Sequence, residues 1–335
     1  MNLQELLFKT IDSEPLSENE TYYLLSEVMK GEVSEIFLSA WLTSMRMKEE
    51  TRDELLGAVR AMLEYAQKPA RKFSFEFIDT CGTGGDGKNS VNVSTLSAII
   101  LASMGIKVAK HGNRSVSSLC GSSDLLQALG FDINAVPEVI EQNLERNGFT
   151  FLFAPNWHPA MKHAVNVRKT LGFRTIFNLL GPLSNPFRPS YQVVGVFSRD
   201  VLSNVAYVLE KIGLKGGIVC HSEDGYDEFS LFAPTEYILF KNGQKIHNYF
   251  EPQELGQKYT NPDDVVCNTK EQSIELARMI LRGEEHTASH KVALNAGVSL
   301  YLLDKVNSIK EGYKVALGHL LSGKPMQYFQ SIINK

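Results

Sequence analysis

The stretch with the plainest chemical content runs Asp79-Thr80-Cys81-Gly82-Thr83-Gly84-Gly85-Asp86-Gly87-Lys88-Asn89-Ser90-Val91-Asn92-Val93-Ser94-Thr95. Four of the six positions from Gly82 to Gly87 are glycine, which takes positive φ and lets a backbone come close to a ligand. An apolar run with alternating acids, residues 73–78, leads in, and an apolar helical run, residues 93–104, leads out. A strand feeding a glycine turn at a helix start aims free N–H groups at one point, where an anion is the natural occupant. Neighbouring Asn, Ser and Thr side chains can add hydrogen bonds to phosphate oxygens. The spacing is wrong for a nucleotide P-loop, because Asn89 stands where the Ser/Thr metal ligand belongs. Gly82-x-Gly84-x-x-Gly87 does satisfy the letters of a dinucleotide loop. Against that reading, Asp86 sets a carboxylate where pyrophosphate would lie, and Val108-Ala109-Lys110-His111 occupies the place of the ribose-binding acid. A purely structural turn is the other alternative.

A second polar loop, residues 110–124, follows the next expected strand and should emerge at the same sheet edge. Lys110, Asn113, Arg114 and the hydroxyls of Ser115, Ser117 and Ser118 lie within nine residues, a set suited to a phosphorylated sugar. Asp227-Glu228 follows the apolar run 217–220. Adjacent carboxylates in a loop can turn toward one point, and Mg2+ is usually held by one or two carboxylates plus substrate phosphates and water. Alone, such a pair is most often a solvated turn. His158 and His163 are five apart and do not share a helical face. His286 and His290 would share one, but Thr287 follows His286 in place of the Glu of H-E-x-x-H, which argues against zinc. Arg168 can bind a carboxylate bidentately, although a surface helix arginine is the ordinary alternative. Cys120 has no evident base partner for nucleophilic work.

The elements that position these residues follow from the pattern. Residues 1 to about 68 read as helices, opened by the capping boxes Ser17-x-x-Glu20 and Thr51-x-x-Glu54. Residues 34–48 set Ile36, Phe37, Ala40, Trp41 and Ser44 at helical spacing, predicting one apolar face. From residue 73 strands alternate with helices: strands at 106–109, 150–153, 191–197 and 217–220, helices at 125–129, 137–147, 159–171 and 200–212. That alternation predicts a mostly parallel sheet covered on both faces. Asn242-Gly243 predicts a type I′ hairpin on an antiparallel edge, and the last ~65 residues return to helix.

With 335 residues, 43% hydrophobic and 21% charged, the chain has the length for two domains and the make-up of an ordinary soluble protein. A net charge of −4 argues against non-specific nucleic-acid binding. No apolar run of membrane-spanning length and no signal peptide are evident, so no membrane partner is expected. The four cysteines contain no C-x-x-C pair, which suggests reduced thiols in a cytoplasm.

The ordered strings Gly-Thr-Gly-Gly-Asp from Gly82, Lys-His-Gly-Asn-Arg-Ser-Val-Ser-Ser from Lys110, Ala-Pro-x-x-His-Pro-Ala-Met-Lys from Ala154, Val-Arg-x-x-Leu-Gly-x-Arg-Thr-Ile-Phe-Asn-Leu-Leu-Gly-Pro-Leu from Val167, and Asp227-Glu228 resemble the anthranilate phosphoribosyltransferase family nearly end to end. The resemblance implies an α/β protein: a small, discontinuous all-helical domain (residues 1–70, with a returning segment at about 165–187) and a large α/β domain (71–335). The large domain would have a mostly parallel central sheet covered by helices, with the site between the domains. It implies transfer of the 5-phosphoribosyl group of 5-phosphoribosyl-1-diphosphate to the amine of anthranilate in tryptophan biosynthesis. It also implies Mg2+, two ions per subunit, and a homodimer through the helical domains.

Carried over by position, Gly82, Gly85, Asp86, Ser90, Asn92, Val93, Ser94, Thr95, Lys110, His111, Gly112, Asn113, Arg114, Ser115, Val116, Ser117, Ser118 and Ser122 resemble the diphosphate-sugar site. Ser94, Asp227 and Glu228 resemble the metal ligands. Gly82, Asn113 and Arg168, with His111, His158 and Gly181, resemble the anthranilate contacts, and Lys110 and Arg168 stand as the catalytic pair. Ser90, Trp157, Asn166 and Ser222 depart from the family's common Thr, Tyr, Pro and Gly. Trp157 is expected beside the substrate channel. The rival readings are a pyrimidine nucleoside phosphorylase and a non-catalytic, nucleic-acid-binding relative.

Overall fold

The computed structural model describes residues 1–84, 87–114 and 119–333. Gly85, Asp86, Ser115, Val116, Ser117 and Ser118, to which anion-binding roles were assigned, lie outside the described residues.

Helices α1 (Leu3–Ile11), α2 (Glu18–Lys30), α3 (Glu35–Lys48) and α4 (Arg52–Glu64) come first. Both expected capping boxes form, at Ser17/Glu20 and Thr51/Glu54, and Gly31 ends α2 in the left-handed region. Glu54 also reaches beyond its own helix. Wholly buried, its carboxylate accepts from Leu16 N and pairs with Lys48 Nζ at 2.7 Å. The buried face of α3 is Leu38, Trp41, Leu42 and Met45, whereas Ile36 is 84% exposed. Ile36 lies about 200° around the helix from Leu38, so the two cannot share a face; the wholly apolar stripe takes the core.

The α/β part then runs β1 (Ile78–Gly82), α5 (Val93–Ser103), β2 (Val108–Gly112), α6 (Ser122–Ala128), α7 (Pro137–Arg146), β3 (Phe149–Phe153), α8 (Ala154–Trp157), α9 (Lys162–Leu171), α10 (Phe177–Leu183), β4 (Tyr191–Gly195), α11 (Leu202–Lys211), β5 (Gly216–Ser222), β6 (Thr235–Lys241), β7 (Gln244–Phe250), and α12 (Lys270–Arg282), α13 (Thr287–Leu302), α14 (Ile309–Leu321) and α15 (Lys324–Ile333). Two strands begin later than their pattern suggests. Phe73 and Phe77 do not extend β1 but turn their rings onto one another, and Phe73 also meets Phe187. β2 pairs with β3 as far as Gly112↔Phe153, so Lys110 and His111 belong to the strand and not to the loop after it. His286 lies outside α13 and caps it, so it does not share a helical face with His290, whose Nδ1 meets Tyr313 OH at 2.7 Å.

The described strands form a sheet in the order β3-β2-β1-β4-β5-β6-β7. The first five are parallel and the last two antiparallel. Asn242 and Gly243 close the last hairpin with φ of 52° and 76°, as a type I′ turn requires. Side chains alternate between two cores: Val193 and Ile218 face α5 and α13, while Val194 and Val219 face α11 and the helical layer beyond it. α9 packs on α2 and α3, and α10 on α4. Asn166 Nδ2 reinforces the first contact by donating to the Glu35 carboxylate. The chain leaves β1 toward β2 and β3, then returns to the other side of β1 as β4. The crevice outside the C-terminal ends of β1 and β4 is therefore a topological switch point, where open α/β sheets bind ligands.

Candidate active site

A cavity of about 540 Å³ opens at that crevice, a volume typical of small-molecule sites. Gly82 and Gly195 are register partners at the ends of β1 and β4. A Cβ on Gly195 would collide with the Asp227 carbonyl oxygen, and one on Gly82 with Asp227 Oδ2. Glycine at 195 lets the backbone of the acidic loop after β5 lie on the sheet edge, and glycine at 82 leaves room there for the Asp227 carboxylate. Asp227 Oδ2 there accepts from Gly84 N at 2.8 Å. Glu228 Oε1 accepts from Ser90 Oγ at 3.2 Å and stands 3.0 Å from Lys291 Nζ on α13.

Lys110 is buried in β2. Its Nζ donates to Thr80 O and, at 3.2 Å, to Ser94 Oγ. Burial pulls its pKa below the usual lysine value, and Asp79 opposes that pull. Asp79, itself without exposed surface, accepts from His111 N (3.3 Å), Asn185 Nδ2 (2.9 Å) and Gln192 Nε2 (3.4 Å). Burial raises its pKa to about 6 against the attraction of Lys110. At the start of α5, Asn92 makes no side-chain cap. Its amide donates to Cys120 O at 2.9 Å and thereby ties this helix to the second loop.

Across the cavity, the rings of His111 and His158 stand 5.1 Å apart. Burial lowers their pKa values to about 3 and about 4, so both are neutral at pH 7. His111 Nδ1 is 3.1 Å from Gly181 O, which assigns its proton to that nitrogen. The Nε2 atoms of both rings are buried without a protein partner. Arg168, on α9, lays its guanidinium 5.2 Å from the Phe177 ring centre, and burial lowers its pKa. Among the described residues no carboxylate pairs with it. Burial pushes the thiols of Cys81, Cys120, Cys220 and Cys267 up, leaving no activated nucleophile among them.

Gly82, Ser90, Asn92, Val93, Ser94, Thr95, Lys110, His111, Gly112, Asn113, Arg114, Ser122, His158, Arg168, Gly181, Asp227 and Glu228 all line this one cavity. Trp157 does not. It is buried edge-on against Phe187, 5.0 Å away, and so cannot shape the channel directly. Ser222 is likewise turned away, its hydroxyl donating to Pro234 O.

Sequence reasoning passed over Asp79 as a site residue, and also Gly195, Asn295 and Lys291. Asn295 exchanges two hydrogen bonds with the Phe229 backbone, both 3.0 Å, and so anchors the acidic loop to α13. A lone amide within the apolar run 292–298 was the available signal for it.

Residues 4–66 match the model for the glycosyl transferase family, helical bundle domain, and residues 74–326 that for the glycosyl transferase family, a/b domain. The chain is 41% identical over 330 residues to anthranilate phosphoribosyltransferase of Geobacillus sp. (strain WCH70), covering 98% of this chain and 97% of that protein. The crystal structure of anthranilate phosphoribosyltransferase from Thermus thermophilus superimposes with a TM-score of 0.90 at 40% identity, covering 98% of each chain. The Saccharomyces cerevisiae enzyme in complex with PRPP and Mg has the same fold, with a TM-score of 0.88 at 24% identity over 99% of this chain and 97% of that one.

Proposed function

The chain belongs to the anthranilate phosphoribosyltransferase family, and from that premise we propose that the cavity at the β1/β4 edge is its phosphoribosyl-transfer site. The protein transfers the 5-phosphoribosyl group of 5-phosphoribosyl-1-diphosphate to the amine of anthranilate, giving N-(5-phosphoribosyl)anthranilate and diphosphate, in tryptophan biosynthesis. One observation supports the location above the others. Two separate stations for anions share this cavity: Lys110 with the glycine loop and α5 start on one wall, and Arg168, without a carboxylate partner among the described residues, on another.

The chemistry asked of the side chains is modest. The diphosphate sugar would lie along Gly82, Asn92, Ser94, Thr95 and the residues following Lys110, with backbone and hydroxyl groups donating to its oxygens. Lys110, fixed by Thr80 O and Ser94 Oγ, is a positive group beside the departing diphosphate, and its stabilisation grows as the bond breaks. Arg168 would hold the anthranilate carboxylate and aim the amine at the anomeric carbon. That amine is neutral at pH 7, so no strong base is needed. Two neutral histidines suit such a wall, because neither adds charge near the anomeric carbon, where positive charge develops as the diphosphate leaves. No covalent enzyme–ribosyl intermediate is expected; trapping one would refute this account.

The donors also fit Mg2+, which the yeast relative's complex contains with PRPP. Ser94, Asp227 and Glu228 supply hard oxygens on one cavity. The described residues hold no cluster of three or more His, Cys, Asp or Glu, as suits an ion completed by phosphate oxygens. When bound, the ion supplies positive charge against the leaving diphosphate. The proposal includes two ions per subunit.

It also includes residues 1–70 with 165–187 as one helical unit, which the packing of α9 and α10 on α2–α4 supports. A homodimer through that unit is supported by the exposed apolar residues Phe8, Ile11, Ile36 and Met47, and light scattering tests it. A cytoplasmic location accords with four free thiols, and among the described residues no helix is long and apolar enough to cross a membrane.

The decisive assay mixes the protein with Mg2+, phosphoribosyl diphosphate and anthranilate and follows anthranilate fluorescence. Persistent fluorescence, with phosphorolysis of thymidine or uridine instead, would overturn the assignment in favour of a nucleoside phosphorylase.

A further inference from the structure

Lys291 occupies a place where a lysine is rarely found, on α13 with no exposed surface. Its Nζ lies 3.0 Å from Glu228 Oε1 and 3.1 Å from the centre of the Tyr226 ring. It does not line the cavity but stands behind the acidic pair. The helix that carries it is fastened to the acidic loop, because Asn295, one turn further on, binds both the N–H and the carbonyl of Phe229. Lys88, from the glycine loop, approaches the same tyrosine ring at 5.5 Å. A buried ammonium is tolerated where a carboxylate compensates it, and the compensating carboxylate is one that faces the cavity. Half of the acidic pair therefore already has a cation supplied by the protein.

We propose that Lys291 is a positioning residue that sets the metal demand of this site. By standing 3.0 Å from Glu228 Oε1 and offsetting its charge, it reduces the attraction of the substrate-free acidic pair for a cation. Divalent cations are then taken up together with the diphosphate sugar, whose oxygens complete the coordination, and not by the free protein. This rests on the assignment of Asp227 and Glu228 as metal ligands. A unit charge about 7 Å from a divalent ion, at an effective dielectric of about 20, weakens binding by roughly a thousandfold before ionic screening, and by at least about tenfold after it.

Mn2+ is the probe, titrated against the full-length protein by electron paramagnetic resonance and calorimetry, with and without phosphoribosyl diphosphate. Without the sugar, Lys291→Met should bind Mn2+ at least ~10-fold more tightly than wild type, Lys291→Arg should match wild type, and adding Glu228→Gln to Lys291→Met should abolish the gain. A folded Lys291→Met protein with wild-type Mn2+ affinity overturns the proposal.

Should that variant not fold, the wild-type background still decides. Glu228→Gln leaves the Lys291 charge uncompensated behind the site, so it should weaken the residual Mn2+ binding by the free protein at least ~10-fold; an affinity unchanged by Glu228→Gln overturns the proposal. With the sugar present, both Asp227→Asn and Glu228→Gln should lose Mn2+. If neither does, the ligand assignment itself falls, and this inference with it.

Discussion

Acidification should weaken this fold in a way that His111 specifically controls. In the unfolded chain a histidine titrates near pH 6.5, but in the folded protein His111 and His158 are held down to about 3 and about 4. Between those limits the unfolded state binds two protons that the native state does not, so stability is lost as pH falls. Asp79 acts in the opposite sense. Its folded pKa of about 6 lies above its unfolded value, so the native state gains its proton first and stability rises as pH falls through that range. From pH 6 to pH 4 the three groups leave one net proton in favour of the unfolded state, about 1.4 kcal/mol per pH unit and roughly 3 kcal/mol over the interval. His111→Asn, whose amide can still donate to Gly181 O, removes one titrating group and should cancel that slope. Urea unfolding followed by circular dichroism at pH 6, 5 and 4 measures it, because the remaining carboxylates are common to both proteins and drop out of the comparison. Parallel stability–pH curves for wild type and variant would show that burial does not hold His111 neutral.

Other outcomes follow from single contacts. Gly195→Ala drives a methyl group into the Asp227 backbone, so binding of Mg2+ with phosphoribosyl diphosphate should fall more than ~10-fold while helix content is kept; calorimetry reads it, and unchanged binding contradicts the role given to this glycine. Arg168→Ala should raise KM for anthranilate by ~10–100-fold, the worth of a charged hydrogen-bonding group, and leave KM for the diphosphate sugar nearly intact; equal losses in both argue against its assignment. Glu54→Ala strands the buried Lys48 ammonium and should cost about 3–5 kcal/mol in chemical denaturation, whereas a loss below ~1 kcal/mol would mean that the pair carries little of the helical packing.

What could be read from the sequence was what depends on near neighbours along the chain. Capping boxes, the Asn242-Gly243 turn and the β/α alternation each express their physics within a few residues, and each formed. Strand starts were misread where a distant contact competed. Phe73 has the apolarity of a strand residue, but Phe187, over a hundred positions away, captures its ring. Lys110 has the look of a loop residue because a charge seldom sits in a central strand. It does so here because Asp79 from β1, the Thr80 carbonyl and the Ser94 hydroxyl surround it, and none of these is near it in sequence.

The same distinction explains which part of the site was missed. Each string proposed to bind an anion announces itself, since phosphate chemistry demands several donors on one short segment. The residues that make those segments meet carry no such signature. Gly195 looks like any glycine at the end of a strand until the acidic loop is laid over it, and Asp227 owes its place on the sheet edge to that missing side chain as much as to its own loop. A carboxylate that reaches a shared cavity only because two paired glycines, Gly82 and Gly195, leave it room is sensitive to a single methylene at either one. Enlarging either glycine should therefore impair metal-dependent binding about as much as removing the carboxylate does, although neither glycine contributes a side chain to bind anything.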